Sequence, residues 1–235
     1  MEPKEKSKEI TLTYVGSRWC IDTNTLVPWL ITDSGVLALL IKKYQIPSDF
    51  RDIYLNRHKP SIDFIQGIID LRSKGLPDEF YFSYLAMNEV YSAVRDEIRS
   101  ILLFRNGTPL SRWNEEKNAI DLPEDSMESV YEDIENRFDV LFGNGSIFPL
   151  SDEPEEDGDN FSEIVASLIF KFKRVKTQDA ILLATAISIK ANYFVTFDQR
   201  LVTEVSKALA DKYRLVLISP KEGNARLKKI GKQNK

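Results

Sequence analysis

Hydrophobic residues along this chain gather in two rhythms. Short apolar runs of strand length recur near residues 17–22, 80–85, 146–150, 193–197 and 214–218, and the longer stretches between them repeat apolar positions at helical intervals. Ser34–Lys42 and Ile62–Arg72 carry such spacing. Over Asn88–Phe104, Val90, Val94, Ile98, Ile101 and Leu102 keep to one face while Arg95, Asp96 and Arg99 stay polar, which predicts an amphipathic helix. Asp125–Leu141 predicts a more acidic one, closed by Gly143-Asn144-Gly145. Pro28, Pro47 and Pro60 are expected to cut the stretch between the first two strands into pieces. Strands joined by long helical connections pair in parallel, so the predicted fold is α/β: a three-layer α/β/α sandwich around a mostly parallel central sheet. The expected organisation is an N-terminal extension over 1–16, one domain over 17–220 with a helical insertion at about 28–79, and a basic C-terminal tail over 221–235.

Acidic residues fall at telling places in this pattern. Asp22 ends the first apolar run and gives way at once to Thr23 and Asn24. Glu89 follows the second strand, Asp179 falls in the first turn of a helix opened at Thr177, and Asp198 follows the fourth strand. Ligands of open α/β sheets bind outside the carboxyl ends of the strands, so these four acids are expected to converge there. Each has a plainer reading. A strand-end Asp often only forms a turn, an Asp in a first helical turn is favoured by the helix dipole alone, and Glu97 competes with Glu89 as the second acid. Asn24 either caps the next helix or helps position a metal-bound water. Thr196 precedes Asp198 by two, so both face the same way in an extended segment; its hydroxyl is available to a carboxylate, to a metal-bound water or to the backbone.

Asp22-Thr23-Asn24, Asn88-Glu89-Val90-Tyr91, Asp179-Ala180-Ile181-Leu182-Leu183-Ala184-Thr185-Ala186 and Val195-Thr196-Phe197-Asp198 resemble, in order, the four motifs of the PIN domain. This is a family of metal-dependent ribonucleases that includes many toxins of toxin–antitoxin pairs. The likeness spans roughly residues 17 to 218, and its last two blocks are the most specific. It departs from compact toxins in the long separation of Glu89 from Asp22. The resemblance implies a PIN-like nuclease domain in which Asp22, Glu89, Asp179 and Asp198 hold Mg²⁺ or Mn²⁺, supported by Thr196 and Asn24. It implies hydrolysis of single-stranded or unpaired RNA to 5′-phosphate and 3′-hydroxyl ends. RNA is the implied partner, with a small antitoxin, another protein or a second copy of the chain as further candidates. The alternative is a catalytically silent PIN-like module that binds RNA or protein. Both cations prefer oxygen ligands, and Mg²⁺ takes only one or two carboxylates directly, so four acids serve one ion tightly or two sparingly.

Composition narrows the field. At 235 residues and 43% hydrophobic the chain can bury one sizeable core. Its single cysteine, Cys20, excludes an internal disulfide and thiolate-bound zinc and points to a reducing setting. The charged Met1–Lys6 leads into no secretory stretch, and no run approaches the roughly 18 apolar residues that span a bilayer. A soluble, cytoplasmic protein without a membrane partner is expected. The sole histidine, His58, is read as a solvated loop residue, which disfavours a Ser-His-Asp hydrolase or a two-histidine ribonuclease. Gly-rich phosphate loops are absent. An Asp-nucleophile phosphatase or receiver-like protein stands as a rival.

A net charge of −4 weighs against nucleic acid, since phosphate neutralisation supplies most non-specific affinity. Distribution restores the idea. Residues 221–235 carry six basic side chains against one acidic, while Asp152–Asp159 concentrates the opposite charge in what reads as a solvated loop. Gly223–Lys235 is read as a mobile tail. Lys173, Arg174 and Lys176, just before Asp179, are expected to face outward and guide RNA if Phe170 and Phe172 face the core. Tyr81, Phe82, Tyr84, Phe170, Phe172 and Phe197 are assigned mostly to the core, leaving no base-stacking platform.

Overall fold

In the computed structural model, which describes residues 16–150 and 161–233, the apolar runs become five strands: β1 (Arg18–Ile21), β2 (Glu79–Ser83), β3 (Phe148–Leu150), β4 (Tyr193–Val195) and β5 (Val216–Ile218). All pairings are parallel, in the order β3-β2-β1-β4-β5. The helices of the described residues are α1 (Thr23–Asp33), α2 (Val36–Lys43), α3 (Phe50–Ser73), α4 (Tyr84–Arg105), α5 (Trp113–Glu116), α6 (Glu124–Gly143), α7 (Phe161–Lys171), α8 (Thr177–Ser188), α9 (Gln199–Tyr213) and α10 (Pro220–Gln233). The chain steps one way across the sheet from β1 to β3 and the other way from β3 to β5. Right-handed crossovers therefore put α1–α6 on one face and α7–α9 on the other, in three layers as expected.

Aromatic packing fixes the first face. Trp19 stands beside Phe80 and Tyr193 in the register of its two neighbouring strands, with ring centroids 5.7 and 4.3 Å away. Phe64 of α3 covers it at 6.2 Å, and Phe138 of α6 covers Phe82 at 6.4 Å. The 28–79 segment thus belongs to the helical layer itself.

Several local expectations are corrected. Residues 220–233 are a helix and not a mobile tail: Leu227 and Ile230, one turn apart, are buried against α3, and Gly223 lies so close that a Cβ there would sit 2.7 Å from the Phe64 ring. Pro28 and Pro60 lie inside α1 and α3, and only Pro47 separates helices. Each proline forfeits a backbone hydrogen bond, but α1 buries Leu26, Val27, Trp29, Leu30 and Ile31, and fully burying each such side chain contributes about 1.5–3 kcal/mol. β2 ends at Ser83, whose hydroxyl accepts from the Ala86 N–H at 3.1 Å and starts α4 four residues earlier than the period alone suggests. His58 is a half-buried helical residue of α3 whose ring lies 4.5 Å from that of Tyr54, tilted by 36°. Phe170 is 90% exposed and Tyr84 and Phe197 are also exposed, so the core assignment fails for all three. The N-terminal extension up to residue 15 and the acidic run 152–159 lie outside the described residues. No single helix among these residues is long and apolar enough to cross a membrane; α1 and α2 together are apolar enough but bend by 64°, and α1 is buried in the core.

Candidate functional site

Strand order reverses between β1 and β4, and the crevice outside their carboxyl ends is the expected ligand position of such a sheet. Asp22 follows β1 directly, and its backbone N–H donates to the Val195 carbonyl of β4 at 3.0 Å. Asp198 follows the same β4. Glu89 projects from the second turn of α4, which continues β2, and not from a first turn as the expected helix start implied. Asp179 is the third residue of α8; because α8 runs back toward the start of β4, its first turn stands at the same sheet edge. The four acids line one cleft of about 740 Å³ with Thr23, Asn24, Lys173, Arg174, Lys176 and Arg200.

Asp22 is the buried member, only 7% exposed. Burial pushes its carboxyl up to about 6, and the nearby charges of Glu89 and Asp179 push in the same direction. Thr196 Oγ1 opposes this by donating to Asp22 Oδ2 at 2.7 Å, and the same hydroxyl oxygen accepts from the Asp198 N–H at 3.0 Å. One threonine thereby ties the ends of β1 and β4 together. Burial also raises the Glu89 carboxyl above its ordinary range, against a hydrogen bond from Thr23. Thr23 Oγ1 lies 3.0 Å from Glu89 Oε2 and 3.3 Å from the Ala86 carbonyl, and its one proton favours the charged acceptor.

Asp198 behaves differently. Burial works against its ionisation, but N–H donors of Leu201 and Arg200 and the Arg200 guanidinium hold its carboxyl below the ordinary range. Its Oδ1 caps α9 through Arg200 N at 2.8 Å and Leu201 N at 3.1 Å, and Arg200 Nη2 reaches Oδ2 at 3.4 Å. Asp179 accepts from the Lys176 N–H at 3.0 Å; Lys176, not Thr177, occupies the N-cap position of α8, with no side-chain cap bond of its own. Asn24 lies within α1 and lines the cleft, so the cap position belongs to Asp22. Glu97 faces His58, 3.7 Å away, and lies outside this cleft.

Lys173, Arg174 and Lys176 reach the cleft by a route other than strand alternation. α7 ends at Lys171, and the turn before α8 carries all three exposed side chains to the rim. Two contributors escaped the sequence reading: Thr23, which positions Glu89, and Arg200, which pairs with Asp198. Their only local signal is adjacency to the acids, one residue after Asp22 and two after Asp198.

Among the described residues no group of three or more His, Cys, Asp or Glu side chains forms a ready metal cage. The donor set nonetheless suits a hard cation that keeps most of its water and takes one or two carboxylates directly. Asp22, Glu89 and Asp179 supply oxygen alone, and they repel one another across a partly buried space, a field that a divalent ion would relieve. Comparisons with protein-family models, curated proteins and solved structures find no match to this chain.

Proposed function

We propose that this protein is a metal-dependent ribonuclease that hydrolyses phosphodiester bonds of single-stranded or unpaired RNA, built as a PIN-like domain. The observation that carries the reading is the repulsive group formed by Asp22, Glu89 and Asp179 at the switch point of the sheet, ringed by Lys173, Arg174, Lys176 and Arg200. An acidic centre inside a basic rim suits a divalent cation within and a phosphate chain above. Bound Mg²⁺ or Mn²⁺ would activate water and stabilise the departing oxygen.

The chain's own residues have separable tasks. Asp22, Glu89 and Asp179 are the ligands. Thr196 holds one Asp22 oxygen by its 2.7 Å bond, and Thr23 does the same for Glu89, which fixes the direction of the remaining lone pairs. Asp198, with Oδ1 committed to α9, stands at the mouth as a weaker ligand or a partner to metal-bound water. Asn24 is placed to hydrogen-bond such water. Lys173, Arg174 and Lys176 neutralise the RNA backbone on approach. A toxin of a toxin–antitoxin pair, in the cytoplasm, is the biological setting that the resemblance suggests.

The test is RNA cleavage after chelation and metal return. Single-stranded RNA should be cut with Mg²⁺ or Mn²⁺ and spared in chelator, whereas a fully paired duplex should be cut slowly. Changing Lys173, Arg174 and Lys176 together to Gln should raise the RNA concentration required and flatten its salt dependence, with turnover at saturation little changed. Undiminished cleavage in excess chelator would rule the mechanism out. Metal-independent RNA binding without cleavage would instead favour the silent binding module.

A further inference from the structure

The acidic cleft continues, across Asn24 and Ala93, into a second chamber of about 360 Å³. Its walls come from three helices and one loop: Val27 and Pro28 of α1, Arg57 and His58 of α3, Glu97 of α4, and Phe197 between β4 and α9. The volume lies at the small end of ordinary ligand sites, which span roughly 300–1,000 Å³. We propose that this chamber seats one unpaired base of the RNA beside the cleavage point and selects guanine. The proposal rests on the nuclease reading of the adjoining cleft.

Phe197 lines this chamber and not the acidic cleft. It lies between Thr196 and Asp198 and is 41% exposed, whereas the flanking threonine is buried. A ring left in solvent at the lip of the chamber offers a flat face on which a base can stack. Val27 and Pro28 add apolar surface to the lining.

Glu97 supplies the discrimination. It is a half-buried carboxylate on the chamber wall, and among the described residues it lies 3.7 Å from His58 Nε2, too far for a hydrogen bond. His58 Nε2 is itself buried and has no hydrogen-bond partner among the described residues. Burial, and then Arg57, hold the His58 ring neutral with its proton affinity lowered to about 4. The neutral imidazole is no counter-charge for Glu97; the Tyr54 hydroxyl donates to this carboxylate and the charges of Arg57 and Lys117 offset part of its own, and its remaining lone pairs are left for a ligand. Guanine alone among the four RNA bases presents two adjacent donors, N1–H and the N2 amino group, that match the two oxygens of one carboxylate. Its O6 acceptor then lies toward the donors of Arg57 or His58. Uracil would set a carbonyl against Glu97, and adenine and cytosine offer one amino group only.

The experiment uses the full-length protein and short single-stranded RNAs that differ in the base flanking one cleavable position. Equilibrium binding is followed by fluorescence anisotropy with Ca²⁺ in place of the catalytic ion, and cleavage is followed separately with Mn²⁺. Wild type should bind the guanine-containing RNA about tenfold more tightly than its adenine, cytosine and uracil counterparts. Glu97→Gln should erase that preference while retaining affinity for the other three, and Phe197→Ala should weaken all four by about tenfold, in line with the loss of a stacking partner. Phe197 is exposed, so its variant keeps the proposal testable even if the half-buried Glu97→Gln protein folds poorly. Equal binding of the four RNAs by wild type, or unchanged binding in Phe197→Ala, would overturn the subsite. If Mn²⁺-dependent cleavage persists in that case, only the subsite falls; if no RNA is bound or cut, the nuclease reading falls with it.

Discussion

Asp22→Asn is expected to leave a folded protein whose Mg²⁺- or Mn²⁺-stimulated cleavage is lower by more than roughly 100-fold, the upper range for losing even an outer partner of a metal site. The amide keeps the shape of the carboxylate and can still accept from Thr196, but it carries no charge for a cation. The same change should stabilise the metal-free protein at neutral pH. Burial raises the Asp22 carboxyl from 3.8 to about 6, so the folded state holds this proton more tightly than the unfolded chain does. Stability from this group is therefore fullest at acid pH, falls as pH rises between about 4 and 6, and is level above that range. A shift of this size corresponds to about 3 kcal/mol between the two ends. Thermal denaturation in chelator from pH 4 to 8 reads the difference between wild type and variant. The variant should gain on wild type across that interval, and parallel profiles would show that Asp22 is not the strained acid of the cleft.

Trp19→Ala should have the largest effect on stability, a loss of about 3–5 kcal/mol. Trp19 is fully buried at the centre of the sheet, touches strand neighbours on both sides and carries Phe64 of α3 above it. Its indole N–H also donates to Asp78 Oδ1 at 3.0 Å, a buried bond that the variant loses. Chemical denaturation should show a lower midpoint with little change of slope. A loss of unfolding free energy of only about a few tenths of a kcal/mol would mean that α3 and α10 do not depend on this cluster.

The parallel sheet was legible because every strand is a compact apolar run and every connection is long enough for a crossover. Asp22, Asp179 and Asp198 were legible for the same reason: each adjoins an element whose end the hydrophobic pattern marks. What sequence could not supply was tertiary compensation. Pro28 and Pro60 read as breaks because propensity counts the lost hydrogen bond and cannot count the core that α1 and α3 bury. Residues 220–233 read as a tail because their charge is obvious, whereas Gly223, Leu227 and Ile230 acquire meaning only against Phe64 and α3. Lys173, Arg174 and Lys176 reach the cleft although the alternation invoked for them does not exist, since the segment is a turn between helices. Asp198 shows the opposite lesson: it caps α9 as well as lining the cleft, a role that its place after β4 did not reveal.

The most direct test of the central claim needs no RNA. Electron paramagnetic resonance distinguishes free from bound Mn²⁺, so titration of the metal-free protein counts ions and measures their affinity. Wild type should bind Mn²⁺, and Asp22→Asn should bind it at least tenfold more weakly while remaining folded by circular dichroism. Mn²⁺ that stays free in the presence of wild-type protein, or binds the variant equally well, would contradict the account.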